Sequence, residues 1–295
     1  MIARILAPVD GCDQSEAVLP YVEELSHRLG ANVTLLHVFP PSLHSQQDIH
    51  AQYITALADD LRGRLRRDDV DVQGVVLEGK PSREIVDFAA QADIGLIAAA
   101  PHSQTSSGHW TVGRTADKVI RETSKPVFLA RENARSRTRA NGLMTRVLVP
   151  LDGSRASRDV LPCVESILEL VWDSGAGTLC LTHVLPPTHY AAGPIIARRV
   201  DYTHSELKEL HGQASRYLEE VAVKLRHGGR HVETRVTVGD TATMILETAA
   251  LLDTNLIAMT THGYTGFSRL FLGSVADRVL HNTEVPLLLV KPQKY

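Results

Sequence analysis

Three glycines and a serine near residue 270 have the types and the spacing of an anion-binding loop. Gly263, Gly266 and Gly273 can adopt backbone angles that other residues avoid, so an anion can approach the main chain closely. Ser274 follows at the predicted start of a helix, where free N–H groups and the helix dipole suit a phosphate. We expect Ser274 to cap this helix and to donate its hydroxyl to the same phosphate. A plain strand-to-helix connection, in which the glycines only ease packing, is the alternative.

Three residues at the ends of predicted strands should face this loop. Asp152, Val184 and Thr260 each end an apolar, strand-like run. In a parallel sheet, the ligand crevice lies beyond the carboxyl ends of the strands, near the point where strand order reverses. We therefore expect these residues and the loop at 260–275 to surround one crevice. Asp152 would then bond the sugar or base end of a nucleotide.

Strand-like and helix-like patterns alternate along the second half of the chain. Residues 231–238 alternate polar and apolar side chains, and residues 274–282 have the apolar spacing of a helix. Strands that alternate with helices need crossover connections, which predict an α/β fold with an open, mostly parallel five-stranded sheet flanked by helices. The predicted strands are 146–152, 178–184, 231–238, 255–260 and 285–290, and the predicted helices are 156–171, 203–226, 241–252 and 274–282.

The sequence contains this pattern twice. Displaced by 160 positions, residues 96–130 align without a gap on residues 256–290, and at a displacement of 142 Arg4 falls on Arg146. A length of 295 residues fits two domains that each bury a core. The predicted organisation is a domain at 1–132, a polar linker at 133–145 and a domain at 146–295.

The last predicted strand of each repeat poses a packing problem. Residues 287–290 are apolar on both faces, although a fifth strand should form the edge of its sheet. An exposed apolar edge invites aggregation, so we infer that this strand is covered. The matching strand at 125–130 of the other repeat covers it most economically, which pairs the two domains as a pseudo-dimer. The alternating strand at 231–238 is expected at the opposite edge.

The composition is that of an ordinary globular protein, with 43% hydrophobic and 22% charged residues. A net charge of −3 with both signs dispersed gives no reason to expect a nucleic-acid or membrane partner. No apolar run approaches the length of a membrane span. The first strand-like run begins at Ile2, which leaves no room for a signal peptide, so we expect a cytoplasmic protein.

Over nearly its whole length the sequence resembles the universal stress proteins in their tandem form. The family's ATP-binding signature is Gly-x2-Gly-x9-Gly-(Ser/Thr), and this chain has Gly263, nine residues, then Gly273 and Ser274. Thr260 stands in place of the first signature glycine. The resemblance implies two Rossmann-like domains, similar to adenine nucleotide alpha hydrolases. It also implies ATP, with or without Mg²⁺, as the ligand of the second domain.

The resemblance also implies a role for each matching residue. In the second domain, the adenosine and adenine contacts fall on Pro150, Asp152 and the backbone of Val184. The ribose and phosphate contacts fall on Thr260, Thr261, His262, Gly263 and Gly266, and the phosphate tail meets Gly273, Ser274 and Val275.

The first domain follows the same pattern only in part, at Pro8, Asp10, Val38 and Gly113. Ala100 and Ser103 replace the first two signature glycines, and Arg114 replaces the hydroxyl residue. A side chain at Ser103 narrows the backbone angles open to the loop, and we expect Arg114 to fill the space or to point to solvent. This domain is therefore expected to bind nucleotide weakly or not at all.

These features predict a regulatory stress-response protein that binds ATP and acts through a homo-oligomer or a protein partner. No Walker lysine, catalytic base or set of Mg²⁺-binding carboxylates is evident, so fast hydrolysis is not expected, although a slow ATPase stays open. A nucleotide-free scaffold is the main alternative. A phosphoacceptor domain is a weaker one, because the third strand of the second repeat ends at Val238-Gly239-Asp240 rather than at a cluster of acids.

The histidines offer further chemistry. His102 and His262 occupy equivalent loop positions and would suit a general base, but no second catalytic group is spaced to orient them. His44, His50 and His189 are predicted in long loops, without the regular spacing of metal ligands. No catalytic or metal-binding residue is therefore assigned.

Overall fold

A computed structural model describes residues 2–91, 93–101, 112–130, 145–172, 177–191, 198–227, 230–262 and 272–293. Four sequence features that carry expectations lie outside these described residues: the two glycines Gly263 and Gly266, the loop that contains His102 and Ser103, and nearly all of the predicted linker at 133–145.

The first half of the chain alternates strands and helices, as its sequence pattern predicts. A short 3₁₀ helix at Pro41–Gln46 precedes the long third helix. The strands are β1 (Arg4–Val9), β2 (Asn32–Phe39), β3 (Val72–Glu78), β4 (Leu96–Ala99) and β5 (Val127–Leu129), and the helices are α1 (Asp13–Glu16), α2 (Leu19–Leu29), α3 (Gln47–Leu65), α4 (Pro81–Gln91) and α5 (Arg114–Glu122).

The second half repeats this order and adds a small hairpin. The hairpin strands, β8 (Thr188–Ala191) and β9 (Arg198–Asp201), pair only with each other. The other strands are β6 (Arg146–Pro150), β7 (Thr178–Leu185), β10 (His231–Val238), β11 (Leu256–Thr260) and β12 (Leu287–Val290), and the helices are α6 (Leu161–Trp172), α7 (His204–Leu225), α8 (Thr241–Leu251) and α9 (Ser274–Asn282).

The helix predicted at 156–171 is wrong at its start. Ala156–Val160 form a 3₁₀ helix, and the α-helix begins only at Leu161. The second residue of α6 is Pro162, which has no N–H to donate to the carbonyl four residues earlier. A continuous α-helix through this point would lose that hydrogen bond, whereas proline fits well in the first turn of a helix.

The ten strands outside the hairpin form one continuous sheet in the order β10-β7-β6-β11-β12-β5-β4-β1-β2-β3. Neighbouring strands are parallel within each half, and the order in each half reverses at its first strand. The halves meet where β12 pairs antiparallel with β5, with Leu288 opposite Phe128. The predicted parallel sheets, the covering of the last strand and the edge position of β10 are confirmed.

Helices cover both faces of the sheet. Side chains of α2, α3, α6 and α7 pack in one core that is continuous across both halves. Side chains of α4, α5, α8 and α9 cover the other face. Within the described parts of the chain, no helix combines the length and the apolar character that crossing a membrane requires.

The junction of the two halves explains why the last strand is apolar on both faces. Leu288 faces the first core, next to Phe128, and both side chains are fully buried. Leu287 and Leu289 face the opposite core and are each 1% exposed. Because β5 and β12 are paired on both edges and have a buried core on each face, neither strand meets solvent.

Replacing Phe128 by alanine tests how much this junction contributes. Truncation of a fully buried phenylalanine costs about 3–5 kcal/mol, because contacts are lost and a cavity remains. We expect a fall of this size in the free energy of unfolding measured by urea denaturation. Leu251→Ala, at a side chain that is 72% exposed, is the control and should stay within about 0.5 kcal/mol of the unaltered protein. Equal losses in both variants would contradict a stabilising junction.

Candidate functional site

A cavity of about 320 Å³ opens at the carboxyl ends of β6, β7 and β11. This is the point in the second half where the strand order reverses, the usual place for a ligand in an open parallel sheet. Every described residue that the sequence predicts for the second-domain site lies in its lining: Pro150, Asp152, Val184, Thr260, Thr261, His262, Gly273, Ser274 and Val275.

Sequence reasoning missed part of this lining. Ser157 and Thr182 contribute hydroxyl groups from the segments after β6 and within β7, and His183 lies beside Thr182. Thr241 and Ile245 come from the first turns of α8. The position of Thr241 could have been predicted. It follows the third strand of the same parallel sheet, so it must lie at the carboxyl end of that sheet, where the cavity is.

The start of α9 differs from the expectation in one respect. Ser274 is not the cap: it is the first helical residue, and Gly273 occupies the cap position without a side-chain hydrogen bond. The N–H of Gly273 donates to the carbonyl of Thr261 at 2.8 Å, which fixes the turn into the helix. The N–H groups of the first turn have no acceptor within a helix, and Ser274, Val275 and Ala276 line the cavity.

Gly273 also lies close to the end of β11. A Cβ atom at this position would stand 3.0 Å from the Thr261 carbonyl oxygen, closer than ordinary van der Waals contact. The N–H of Thr261 donates to the Val290 carbonyl at 2.9 Å, so this backbone is held by the neighbouring strand. The structure therefore explains why a glycine suits position 273.

Thr260, which replaces a signature glycine, is buried and is the last residue of β11, where the strand leads into the loop. Its hydroxyl donates to the His262 carbonyl at 2.8 Å. The extra side chain is thus used to hold the beginning of the loop in place. It lies in the lining of the cavity without closing it.

His262 is the half-buried imidazole of this site. Its Nδ1 is hydrogen-bonded to Oγ1 of Thr261 at 3.0 Å, and its Nε2 is buried without a partner among the described residues. Burial lowers the pKa of His262, and the positive charges of Lys291 and Arg121 lower it further. His262 is therefore favoured as a neutral ring that can exchange one hydrogen bond with a ligand.

A second imidazole, His183, is fixed by the end of the first strand. Its Nδ1 donates to the Leu151 carbonyl at 2.8 Å, and burial lowers its pKa. Asp152, which follows Leu151 in the chain, accepts a hydrogen bond from the N–H of Ser154 at 2.9 Å. Gly153 between them has a φ of 86°, which turns the chain sharply and leaves Asp152 exposed at the cavity edge.

Asp240, the residue considered as a phosphoacceptor, is engaged in structural contacts. It caps α8 by accepting from the N–H of Thr243 at 3.1 Å and forms an ion pair with Arg278 at 2.8 Å. The hydrogen bond from Arg278, then those from Thr243, hold the pKa of Asp240 well below its usual range. This use of the carboxylate gives no support to phosphoryl chemistry at Asp240.

The first half has a cavity at the equivalent place, with a volume of about 370 Å³. Arg114, the first residue of α5, is exposed and lies at its lining instead of filling it. Of the two outcomes expected for Arg114, filling the space or pointing to solvent, the structure shows an exposed side chain that also contributes to the lining at the cavity mouth. The four residues predicted for the weaker site all line this cavity: Pro8, Asp10, Val38 and Gly113.

The three histidines predicted in loops belong to regular elements. His44 lies in the 3₁₀ helix before α3, His50 in α3 and His189 in β8. His50 approaches from its helix to place Nδ1 2.9 Å from Nε2 of His37, a contact that depends on tertiary packing. Among the described residues, no three His, Cys, Asp or Glu side chains come together as metal ligands would.

Comparison with known proteins agrees with the two-part fold. Universal stress protein MJ0531 of Methanocaldococcus jannaschii is 39% identical over 90 residues, 30% of this chain and 52% of that protein. That match spans about half of the relative's length. A universal stress protein of Mycolicibacterium smegmatis is 24% identical over 312 residues, covering 98% of this chain and 97% of the other.

A solved structure shows the same fold over the full length. The crystal structure of a universal stress protein from Archaeoglobus fulgidus superposes with a TM-score of 0.71 at 17% identity and covers 99% of both chains. The fold and the paired cavities define a tandem Rossmann-like α/β protein. Residues 1–131 and 144–291 each match the model of the universal stress protein family, and the chain belongs to that family.

Removing the charge of Lys291 should change the titration of His262. The ammonium of Lys291 donates to the Arg121 carbonyl at 2.8 Å, and its charge disfavours a second positive charge on the imidazole. We expect Lys291→Met to raise the pKa of His262, followed by NMR of the ring protons. Lys291→Arg keeps the charge and should leave the pKa depressed. An unchanged or lower pKa in Lys291→Met would refute the electrostatic contact.

Proposed function

We propose that the chain is a regulatory protein that binds ATP mainly in its second half. The observation that carries this proposal is the uncapped start of α9, which opens into a cavity beside the residues that the family resemblance assigns to nucleotide. Free N–H groups at a helix start, together with the positive end of the helix dipole, favour phosphate oxygens.

The cavity offers each part of the nucleotide a different surface. Val184 and Met259 give apolar contact for a base, and Asp152 at the cavity edge can accept hydrogen bonds from ribose hydroxyls. The hydroxyls of Thr241 and Ser274 lie on the side where α8 and α9 begin. We place the triphosphate at that side, with the adenosine toward the end of β6.

The charges of the lining favour a site that binds ATP over one that hydrolyses it rapidly. The described lining holds one carboxylate, Asp152, and neither lysine nor arginine. Enzymes that transfer phosphoryl groups quickly use cations and several Mg²⁺ ligands to neutralise the charge that develops. Main-chain amides can hold the phosphates here, with Mg²⁺ bound chiefly by the phosphates and water if it accompanies ATP.

A regulatory role requires that ATP bound in this cavity change the structure or the interactions of another part of the molecule. His262 borders the cavity, and Lys291, whose charge acts on it, contacts the end of α5 in the other half. A ligand bound against residues 260–275 would therefore act on a region that both halves share. We propose that this region presents the surface read by a second copy of the chain or by another protein.

The nucleotide content of the purified protein tests the proposal directly. After acid quenching, we expect close to one adenine nucleotide per chain, identified by chromatography, or saturable uptake of one ATP in calorimetry. Two nucleotides per chain would show that the first half also binds. No retained nucleotide and no binding at millimolar ATP would refute the proposal and favour a nucleotide-free scaffold.

Two substitutions at position 274 can distinguish what the backbone N–H contributes to ATP binding from what the side-chain hydroxyl contributes. Alanine removes only the hydroxyl, whereas proline removes the N–H as well. Ser274 is the first helical residue, where proline is well tolerated, and the φ of −60° and ψ of 146° at Gly273 suit a residue before proline. Loss of one hydrogen bond to a charged phosphate should make Ser274→Pro bind ATP about 10- to 100-fold more weakly than Ser274→Ala.

The same pair of changes in the first half is the matched control. Gly113 has a φ of −58° and a ψ of 146°, so Arg114→Pro and Arg114→Ala begin α5 in the same way. Their ATP affinities, measured by calorimetry, should be equal to each other. Equal affinities of Ser274→Pro and Ser274→Ala would mean that the main-chain amide does not hold the phosphate.

A further inference from the structure

The two cavities occupy equivalent places but differ in chemistry. In the second half, six hydroxyl-bearing side chains line the cavity. At four of the equivalent positions the first half carries three apolar residues and one cation, whereas Ser15 matches Ser157. In order along each half, Leu36, Pro81, Ala100 and Arg114 stand where the second half has Thr182, Thr241, Thr260 and Ser274.

The body of the first-half cavity is apolar. Leu36, Ile85 and Val119 line it from β2, α4 and α5, and each side chain is at most 4% exposed. Ala100 adds a small apolar surface at the end of β4. Fewer hydroxyl groups are therefore available to a ribose or a chain of phosphates, because only Ser15 and Thr115 supply them here, which disfavours a highly polar ligand.

The rim of this cavity is positively charged. Arg114 is exposed in the lining at the start of α5, and the exposed Lys80 directly precedes the lining residue Pro81. Neither side chain forms an ion pair with another described residue. In the second half, the position of Lys80 holds Asp240, which is neutralised by Arg278. The counterpart of Arg278 is Lys118, and two lysines cannot form that ion pair.

One acidic residue, Asp10, belongs to the same lining. Its carboxylate accepts a hydrogen bond from the N–H of Cys12 at 3.1 Å, within the turn after β1. Arg114 lies at the start of α5, which follows β4 in the chain. An anionic group is therefore favoured at the Arg114 side of the cavity and disfavoured at the Asp10 side.

We propose that the first-half cavity is a second ligand site, for a small carboxylate with an apolar body. The guanidinium of Arg114 can bind a carboxylate through two parallel hydrogen bonds, and the alkyl or aryl body would occupy the space between β2, α4 and α5. A volume of about 370 Å³ lies within the range of ligand pockets and can hold a medium-chain acid. This site is independent of ATP binding in the second half.

Decanoate, titrated calorimetrically into the full-length chain, is a suitable probe. We expect saturable binding at one site per chain that persists when ATP is saturating, because the two ligands use different cavities. Arg114→Ser introduces the residue of the other half and should weaken decanoate at least tenfold. Lys80→Glu, a surface change at the same rim, should weaken it by a smaller factor.

The control variant is Ser274→Ala, which alters the corresponding position of the second half and should leave decanoate binding unchanged. Absence of binding at millimolar decanoate, or an affinity that Arg114→Ser does not alter, would overturn the proposal. Displacement of decanoate by ATP would also overturn it and would assign the first cavity to nucleotide. None of these results depends on whether the second half binds ATP.

Discussion

The antiparallel pairing of β5 with β12 is the constraint on which the arrangement of the molecule depends. Each half alone would leave a fully apolar strand at the edge of its sheet, open to pairing with other chains. Joining the two edges removes that hazard and merges the cores on both faces. The strands of the two halves run in opposite directions, so their carboxyl ends point to opposite sides of the molecule. The two cavities, which lie at those ends, therefore open in opposite directions.

The same pairing places α5 between the two cavities. The helix begins at Arg114, in the lining of the first cavity, and ends near Arg121. The carbonyl of Arg121 accepts a hydrogen bond from the ammonium of Lys291. Lys291 and Arg121 both lower the pKa of His262 in the second cavity. Within our proposal, α5 thus lines the first site and contacts Lys291, whose charge acts on His262 in the second. Any coupling between the sites would be a free-energy difference that acts equally in both directions.

The sequence predicted features that depend on local pattern and on burial. The apolar character of residues 287–290 on both faces predicted their central place in the sheet, and helical spacing predicted α9 from its first residue. Features that depend on side chains meeting across the fold were not predictable. The contact of His50 with His37 arises from the packing of α3, and the hairpin of β8 and β9 interrupts a stretch that has no strong period of its own.

The starts of α5 and α9 separate the role of the backbone from that of the side chains. Gly113 and Gly273 have nearly the same φ and ψ, and neither helix has a side-chain cap, so the two halves offer the same main-chain amides. Arg114 and Ser274, one residue further on, give these amides different surroundings. A fold therefore supplies an anion-binding corner twice, and the side chains around it select the ligand. Mostly apolar walls with one cation favour a carboxylate that has an apolar body, whereas walls with more hydroxyl groups can satisfy a ribose and several phosphates.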